Sequence, residues 1–159
     1  ACLQKTSWCE VVQLDLADEK SIEAAVEKTK WLIPQLDVLV NNAGISQRAR
    51  ASTASFASEK QLMQVNFFGP VYLTKLLFPH LAPKAGLIIT SSVVGLFAFP
   101  TRSTYAASKH ALHGYFNTMA LEEADRLQVT ISCPGRINTP ISYSAITDSG
   151  QAHGQMDQG

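Results

Sequence analysis

The segment Leu36-Asp37-Val38-Leu39-Val40-Asn41-Asn42-Ala43-Gly44 joins an apolar run to a polar turn that ends in glycine. The uninterrupted apolar triplet at residues 38–40 is typical of a strand whose two faces are both covered by helices. Helical patterns stand on either side of it, at residues 19–31 and 59–81. This segment therefore predicts a buried parallel strand in an α/β fold.

Strand-like and helical patterns alternate outward from this segment. Further strands are expected at residues 10–14, 87–90 and 128–133, and a long helix at 103–127. The order β-α-β-α-β-α-β implies a parallel sheet with right-handed crossovers.

Single residues refine this assignment of elements. Ala17 or Asp18 can cap the first helix, and Pro70 should bend the second. Gly114 costs helix propensity and is expected to allow close packing in the last helix. The polar residues 147–159 are expected to be mobile.

Composition excludes several classes of function. The chain has 159 residues, 46% of them hydrophobic, and 13 basic residues balance 13 acidic ones, so no electrostatic footprint for nucleic acid is present. The longest apolar stretch, residues 87–100, is interrupted by Thr90-Ser91-Ser92 and is too short to span a bilayer. The three scattered cysteines indicate reduced thiols, with Cys133 in the core. The four histidines show no metal-ligand spacing, so no metal site is expected: His80, His110, His113 and His153.

The most informative side chains are Tyr105 and Lys109, which share one helix face, and Ser92, thirteen residues before the tyrosine. An ammonium beside a phenol stabilises the phenolate, so such a tyrosine can donate or accept a proton near neutral pH. A serine hydroxyl can hydrogen-bond the same substrate oxygen. This set predicts acid–base chemistry at a carbonyl or an alcohol.

Five further segments of the sequence accompany Ser92, Tyr105 and Lys109. They are Asp15-Leu16, Asn41-Asn42-Ala43-Gly44, Val65-Asn66-Phe67-Phe68-Gly69, Ile88-Ile89-Thr90-Ser91-Ser92 with Gly95, and Pro134-Gly135-Arg136-Ile137-Asn138-Thr139. From about residue 10 to about residue 141 the chain resembles the short-chain dehydrogenase/reductase family.

The resemblance implies a Rossmann-type doubly wound parallel sheet and an NAD(P)-dependent oxidoreductase that interconverts a carbonyl and an alcohol. Its active site would be Asn66, Ser92, Tyr105 and Lys109. Lys109 would also bind the nicotinamide ribose, and Asn66 would hold a water through its backbone in a proton relay behind the lysine. The alternatives are an inactive truncated product, or a non-catalytic binding or regulatory protein on the same fold.

The resemblance also implies which residues bind the cofactor. Asp15 would accept from the adenine amino group, and Leu16 would add a backbone contact. Asn41 would support the central strand, while Ala43 and Gly44 would pass close to the adenosine ribose. The residues that would frame the nicotinamide and reach the pyrophosphate are Pro134, Gly135, Ile137 and Thr139.

Simpler interpretations of these residues stay open. Asp15 could be a plain acid at a helix N-terminus, and residues 41–44 could be a strand-ending turn only. Arg136 could be solvated or could approach the cofactor phosphates.

Substrate and cofactor type follow from the same resemblance. Residues 42–48 and 105–114 look most like the 11β-hydroxysteroid dehydrogenase-like branch, which mostly uses NADP(H) and often takes lipophilic carbonyls. NADP is therefore favoured over NAD, with a small lipophilic carbonyl or alcohol as substrate. Phe97, Phe99 and Tyr143 are candidate walls of an apolar pocket, although Phe97 and Phe99 could equally be core residues. A homo-oligomer through the helices that carry Asn66 and Tyr105 is a further implication.

One part of the family pattern is missing from the sequence. The family opens with a strand and a T-G-x-x-x-G-x-G turn, yet no glycine precedes Gly44. Residues 1–159 are therefore expected to form a partial domain that lacks the first two strands and a C-terminal part, with 142–159 the start of a mobile substrate loop. Such a polypeptide should be poorly stable and bind dinucleotides weakly. A cytoplasmic location is expected, with an N-terminal membrane anchor left open.

Overall fold

The computed structural model describes residues 9–135, 137 and 140–155. The helices are α1 (Glu19–Leu32), α2 (Phe56–Met63), α3 (Gly69–Leu77) and α4 (Ser103–Glu122), and a π-helical turn, Gln64–Phe68, joins α2 to α3. The strands are β1 (Leu36–Asn41), β2 (Gln47–Arg48), β3 (Leu81–Thr90), β4 (Leu127–Ser132) and β5 (Ile146–Thr147).

The main sheet has three parallel strands in the order β1-β3-β4. Val40 pairs with Ile88, and Ile88 pairs with Thr130, so the three strands end at the same edge. The expected α/β fold with a parallel sheet is confirmed. Parallel strands bring the segments that follow them together at the carboxyl edge, which is where ligands bind in open α/β sheets.

Helices cover one face of this sheet. Leu39 packs against both main core clusters, and Leu87 and Ile89 lie fully buried against α4. On the opposite face Val38 and Val40 stay 53% and 52% exposed. The expectation that helices cover both faces of β1 is therefore wrong for the part of the chain that the structure describes.

Residues 9–14 do not form the expected strand. They run as exposed irregular chain, and none of the strands in the described ranges pairs with them. A strand exists only where a neighbour satisfies its backbone hydrogen bonds, and a β-rich composition at 10–14 cannot replace that neighbour. The chain first enters the core two residues later at Leu16, which is buried against Ile22 and Leu73.

The helix expected over 59–81 is divided into α2 and α3 by the π-helical turn. Pro70 stands in the first turn of α3, and the Gly69 N–H bonds the Gln64 carbonyl five residues back. Because Pro70 has no N–H, it cannot donate the ordinary α-helical hydrogen bond to the Asn66 carbonyl. The irregularity expected at the proline thus lies in the turn before it, at Asn66. Such π-helical turns are frequent at functional sites.

The long helix α4 ends at Glu122, five residues earlier than expected, because a turn leads into β4. A Cβ added at Gly114 would meet no atom within 4 Å among the residues described, so the expected close packing there is wrong. Asp18 is the cap of α1, since its side chain accepts from the Lys20 N–H. None of the helices in the described ranges is long and apolar enough to cross a membrane.

A second sheet of two short parallel strands was not expected from the sequence. In it Gln47 pairs with Ile146 and Arg48 with Thr147. Strand β5 lies within residues 142–159, whose assignment as the start of a mobile substrate loop stays a prediction. The pairing ties this segment to the turn after β1.

Candidate active site

Tyr105 and Lys109 lie on consecutive turns of α4 and face the end of β3. The Lys109 ammonium lies 5.8 Å from the centroid of the Tyr105 ring. Both side chains are buried, and Lys109 is only 4% exposed. The i, i+4 spacing read from the sequence therefore corresponds to one buried face of the helix.

Lys109 has no carboxylate partner among the described residues. Its Nζ donates to the Thr90 carbonyl at 2.8 Å. Burial disfavours the charged form and lowers the pKa of Lys109 to about 8 from its usual 10.5. The ammonium therefore lies at the end of β3 in a state from which it can lose and regain a proton near neutral pH.

Asn66 connects the turn after β1 to α4. Its side-chain amide accepts from the Ile45 N–H at 2.8 Å and donates to the Ile45 carbonyl at 2.9 Å. It also donates to Ser108 Oγ at 3.2 Å, and Ser108 in turn donates to the Tyr105 carbonyl. A buried amide in a helix needs such partners, which explains an asparagine at a position that propensity disfavours.

Because Gly44 has no side chain, the backbone of this turn can lie close to Asn66 and Lys109. A Cβ there would stand 3.2 Å from Asn66 Oδ1 and 3.6 Å from Lys109 Nζ. Ala43 beside it is exposed at the carboxyl edge of the sheet. The turn 41–44 therefore passes directly over Asn66 and Lys109, two of the four residues assigned to catalysis from the sequence.

Ser92 follows β3, and its Oγ accepts from the Val94 N–H at 3.2 Å. The hydroxyl proton remains available for donation, because accepting a bond does not use it. Val94 packs against Tyr105, so the turn that carries Ser92 rests on the face of α4 that carries Tyr105. Capping a short turn and serving a substrate oxygen are thus compatible for this serine.

Sequence reasoning missed a contact between Ser91 and His113. Ser91 Oγ lies 2.8 Å from His113 Nε2, and Cys133 Sγ lies 3.7 Å from the same nitrogen. Burial lowers the pKa of His113, and the nearby His110 lowers it further, which favours the neutral ring; a neutral imidazole has one acceptor nitrogen. Only the i, i+4 spacing of Lys109 and His113 could have signalled it.

Sequence reasoning also missed Gln47. Its buried amide oxygen accepts from the N–H groups of Thr104 and Tyr105 at 2.9 and 3.1 Å. No local pattern could have found this contact, because the partners are more than fifty residues apart in the chain.

The structure also places the residues expected to bind the adenosine side of a cofactor. Asn41 Nδ2 donates to Thr74 Oγ1 at 2.8 Å, which ties the end of β1 to α3. Asp15 is exposed, and its side chain accepts from the Ala17 N–H in a local turn. Leu16 is a core residue. Asp15 therefore keeps both of the interpretations open after sequence analysis.

The segment after β4 lies at the same edge. The Val93 N–H donates to the Pro134 carbonyl at 3.1 Å, so this segment lies next to the turn that follows Ser92. A Cβ at Gly135 would meet nothing within 4 Å among the described residues, and Ile137 is exposed. Thr139 and Arg136 lie outside the described residues.

Phe97, Phe99 and Tyr143 are exposed, with Phe97 at 63%. The interpretation of Phe97 and Phe99 as core residues is therefore wrong, while their role as pocket walls stays a prediction. No group of three or more potential metal ligands occurs within the described ranges.

Nearly the whole chain is similar to proteins of a known family. A family model described as short chain dehydrogenase matches residues 2–149. The chain is 42% identical over 150 residues to the Dehydrogenase/reductase SDR family protein 7-like of Anopheles gambiae, covering 92% of this chain and 47% of that protein. The chain thus spans about half the length of the curated relatives it matches.

Two solved structures share the fold. A dehydrogenase/reductase from Sinorhizobium meliloti 1021 superposes with a TM-score of 0.77 at 31% identity, covering 82% of this chain and 52% of that one. A gluconate 5-dehydrogenase from Burkholderia cenocepacia J2315, in complex with NADP and tartrate, gives 0.74 at 27% identity, covering 81% and 52%. With the family model matching nearly the whole chain, the protein belongs to the short chain dehydrogenase family.

Proposed function

We propose that the protein is an NAD(P)-dependent oxidoreductase that interconverts a carbonyl and an alcohol, with Asn66, Ser92, Tyr105 and Lys109 as its active site. The observation that carries the proposal is the buried Lys109 ammonium beside the Tyr105 ring, 5.8 Å from its centroid, at the carboxyl edge of a parallel sheet. Burying a lysine without a carboxylate partner is costly, and such groups are concentrated at functional sites.

The carboxyl edge offers donors that suit a nicotinamide cofactor. A Cβ at Gly135 would meet no described atom within 4 Å, Ile137 is exposed, and the Lys109 ammonium supplies donors that suit ribose hydroxyls. When bound, the cofactor supplies or receives the hydride at the substrate carbon. The relative in complex with NADP supports a nicotinamide cofactor, and we propose NADP ahead of NAD.

The residues of the chain would manage the proton. In the reducing direction Tyr105 donates its hydroxyl proton to the substrate oxygen, while Ser92 donates a hydrogen bond to the same oxygen. The Lys109 ammonium stabilises the phenolate that remains. Because its pKa is about 8, Lys109 can pass a proton on and recover one near neutral pH.

Asn66 would complete the proton path behind the lysine. Its side chain is fully engaged with Ile45 and Ser108, so it fixes the geometry and is not the proton carrier. Its carbonyl cannot receive the ordinary helical bond from Pro70, which supports a water at that carbonyl.

The substrate we propose is a small lipophilic carbonyl or alcohol. Phe97, Phe99 and Tyr143 stand exposed in the segments that follow β3 and β4, where they can contribute apolar walls. Exposed aromatic side chains of this kind are typical of ligand pockets and interfaces.

The test is Tyr105→Phe in the full-length protein, with Tyr115→Phe on the same helix as the matched control. Turnover of lipophilic carbonyls with NADPH and NADH would be followed by cofactor absorbance. The phenol carries the proton but contributes little to dinucleotide binding. We therefore expect kcat to fall by about a hundredfold or more in Tyr105→Phe, with cofactor Kd nearly unchanged. Residual turnover within about tenfold of wild type would contradict the assignment.

A further inference from the structure

Gln47 supplies a hydrogen-bond acceptor to the helix turn that carries Tyr105. Its Oε1 accepts from the Thr104 N–H at 2.9 Å and from the Tyr105 N–H at 3.1 Å. The side chain is 2% exposed, so water does not compete for these donors. One amide oxygen thus serves two consecutive N–H groups of the catalytic helix.

The helix needs this outside acceptor because its own cap residue provides none. The first N–H groups of a helix have no acceptor inside the helix, and a Ser, Thr, Asp or Asn at the cap usually supplies one. In α4 the cap position is Arg102, whose guanidinium has only donors and so cannot accept from these N–H groups. Without Gln47, the Thr104 and Tyr105 N–H groups would be left without an acceptor in a turn where Tyr105 is buried.

The backbone around Gln47 is held from two sides. Gln47 pairs with Ile146 in the small sheet, and the Ile146 N–H donates to the Ser46 carbonyl at 2.8 Å. The Ala49 N–H donates to the Thr101 carbonyl at 3.1 Å, just before α4 begins. The acceptor is therefore fixed relative to α4 before any ligand binds.

We propose that Gln47 is a positioning residue for Tyr105, which fixes the first turn of α4 so that the phenol hydroxyl meets the substrate oxygen. The inference rests on the proposed function. Catalytic geometry is sensitive at this scale, because misplacement of a reacting group by about 1 Å can cost about a hundredfold in rate. Gln47 acts through the helix backbone and touches no reacting atom in this role.

The test compares three variants of Gln47 in the full-length protein. Gln47→Leu keeps the approximate volume and removes the acceptor. Gln47→Glu has the same side-chain length and keeps an acceptor oxygen, and its negative charge is favourable at a helix N-terminus. Gln47→Asn withdraws the acceptor by one methylene while keeping a polar group. If the leucine variant does not fold, the asparagine variant provides the comparison.

A matched control comes from another capped helix. Asp18→Ala removes the side-chain cap of α1 through the Lys20 N–H, away from the catalytic helix. It should cost comparable stability while leaving kcat unchanged. This control separates loss of a helix cap from loss of positioning.

The inference is tested by kcat and by amide hydrogen exchange. We expect Gln47→Leu to lower kcat by about tenfold to a hundredfold with KM little changed, and Gln47→Glu to recover most of the loss. Hydrogen exchange of the Thr104 and Tyr105 amides should accelerate at least about fivefold in the leucine variant, because losing a helix cap costs about 1 kcal/mol. In Asp18→Ala the exchange of these two amides should stay slow.

The inference is overturned if Gln47→Leu and Gln47→Asn match Asp18→Ala in kcat, or if amide protection at Thr104 and Tyr105 is unchanged. Failure of the proposed function looks different, because Tyr105→Phe would then retain turnover while the exchange result still reports on Gln47. The amide measurement requires no substrate, so it remains informative in either case.

Discussion

Lys109→Met should make the full-length protein more stable at neutral pH and, under the proposed function, abolish its turnover. Methionine has nearly the shape of lysine without the ammonium, so the variant keeps the packing and removes the buried charge. Lys109 is 4% exposed, and burial alone holds its pKa at about 8 against a usual 10.5. A tenfold change in proton affinity is worth about 1.4 kcal/mol, so charging this lysine at pH 7 costs the folded state about 3 kcal/mol.

The sign of the pH dependence follows from the lowered pKa. Below pH 8 both folded and unfolded states hold the proton, and the full cost of about 3 kcal/mol applies. Between pH 8 and 10.5 the unfolded chain holds more proton than the folded one, so this contribution to stability rises with pH. At pH 9.5 the cost should have fallen to about 1.5 kcal/mol. Above 10.5 both states are neutral and the cost disappears.

The variant also loses the hydrogen bond from Lys109 to the Thr90 carbonyl, which is worth about 1.5–3 kcal/mol for a charged donor. Removing the charge should therefore leave a net gain of up to about 1.5 kcal/mol at pH 7. Lys84→Met is the matched control, because the exposed Lys84 also donates to a backbone carbonyl, that of Ala124, without being buried.

The assay is urea unfolding of wild type and both variants at pH 7 and pH 9.5, without cofactor. We compare the free energy of unfolding of Lys109→Met with that of wild type. The difference, variant minus wild type, should fall by about 1.5 kcal/mol from pH 7 to pH 9.5, because all other groups titrate equally in both proteins. Lys84→Met should show no such change. A difference that is flat with pH would refute the cost assigned to burial of Lys109.

Three further outcomes follow from the packing. Gly114→Ala should raise the free energy of unfolding by about 1 kcal/mol in thermal or urea melts, because its Cβ would meet no described neighbour within 4 Å and alanine favours the helix. Gly95→Ala should lower it by about 1–3 kcal/mol, because a Cβ would stand 2.6 Å from Ser91 Oγ; a change below 0.5 kcal/mol in the same melts would contradict that fit. The 159-residue polypeptide should self-associate in sedimentation experiments through the exposed β1 face at Val38 and Val40, and Val38→Lys should reduce this, whereas equal association of both would exclude that face.

Much of the site could be predicted from the sequence, because its residues are neighbours on one helix or directly follow a strand. Tyr105 and Lys109 share a helix face wherever that helix lies, and the polar segments after β1, β3 and β4 meet whenever the strands are parallel. The unusual asparagine at 66 signalled a purpose because it opposes helix propensity, and the structure shows the amide engaged on both sides.

The missed features depend on partners distant in the chain. The apolar triplet 38–40 has the same sequence whether one face or two are covered, so periodicity could not reveal that Val38 stays half exposed. The run at 10–14 has strand composition, but strand formation is decided by a neighbour. Gln47 lies in a polar loop whose pairing with β5 has no local signature.

The energetics of the site explain why these distant ties exist. Lys109 is held in the fold against a cost of about 3 kcal/mol, and that cost falls if α4 moves away and lets water reach the ammonium. Contacts that hold α4 in place must therefore outweigh this gain. Gln47 fixes the first turn, Asn66 through Ser108 fixes the second, and Ser91 with His113 fixes the turn after the lysine. Weakening any one of them should let water reach Lys109 and raise its pKa toward that of a free lysine, so the position of α4 and the pKa of Lys109 depend on the same polar contacts.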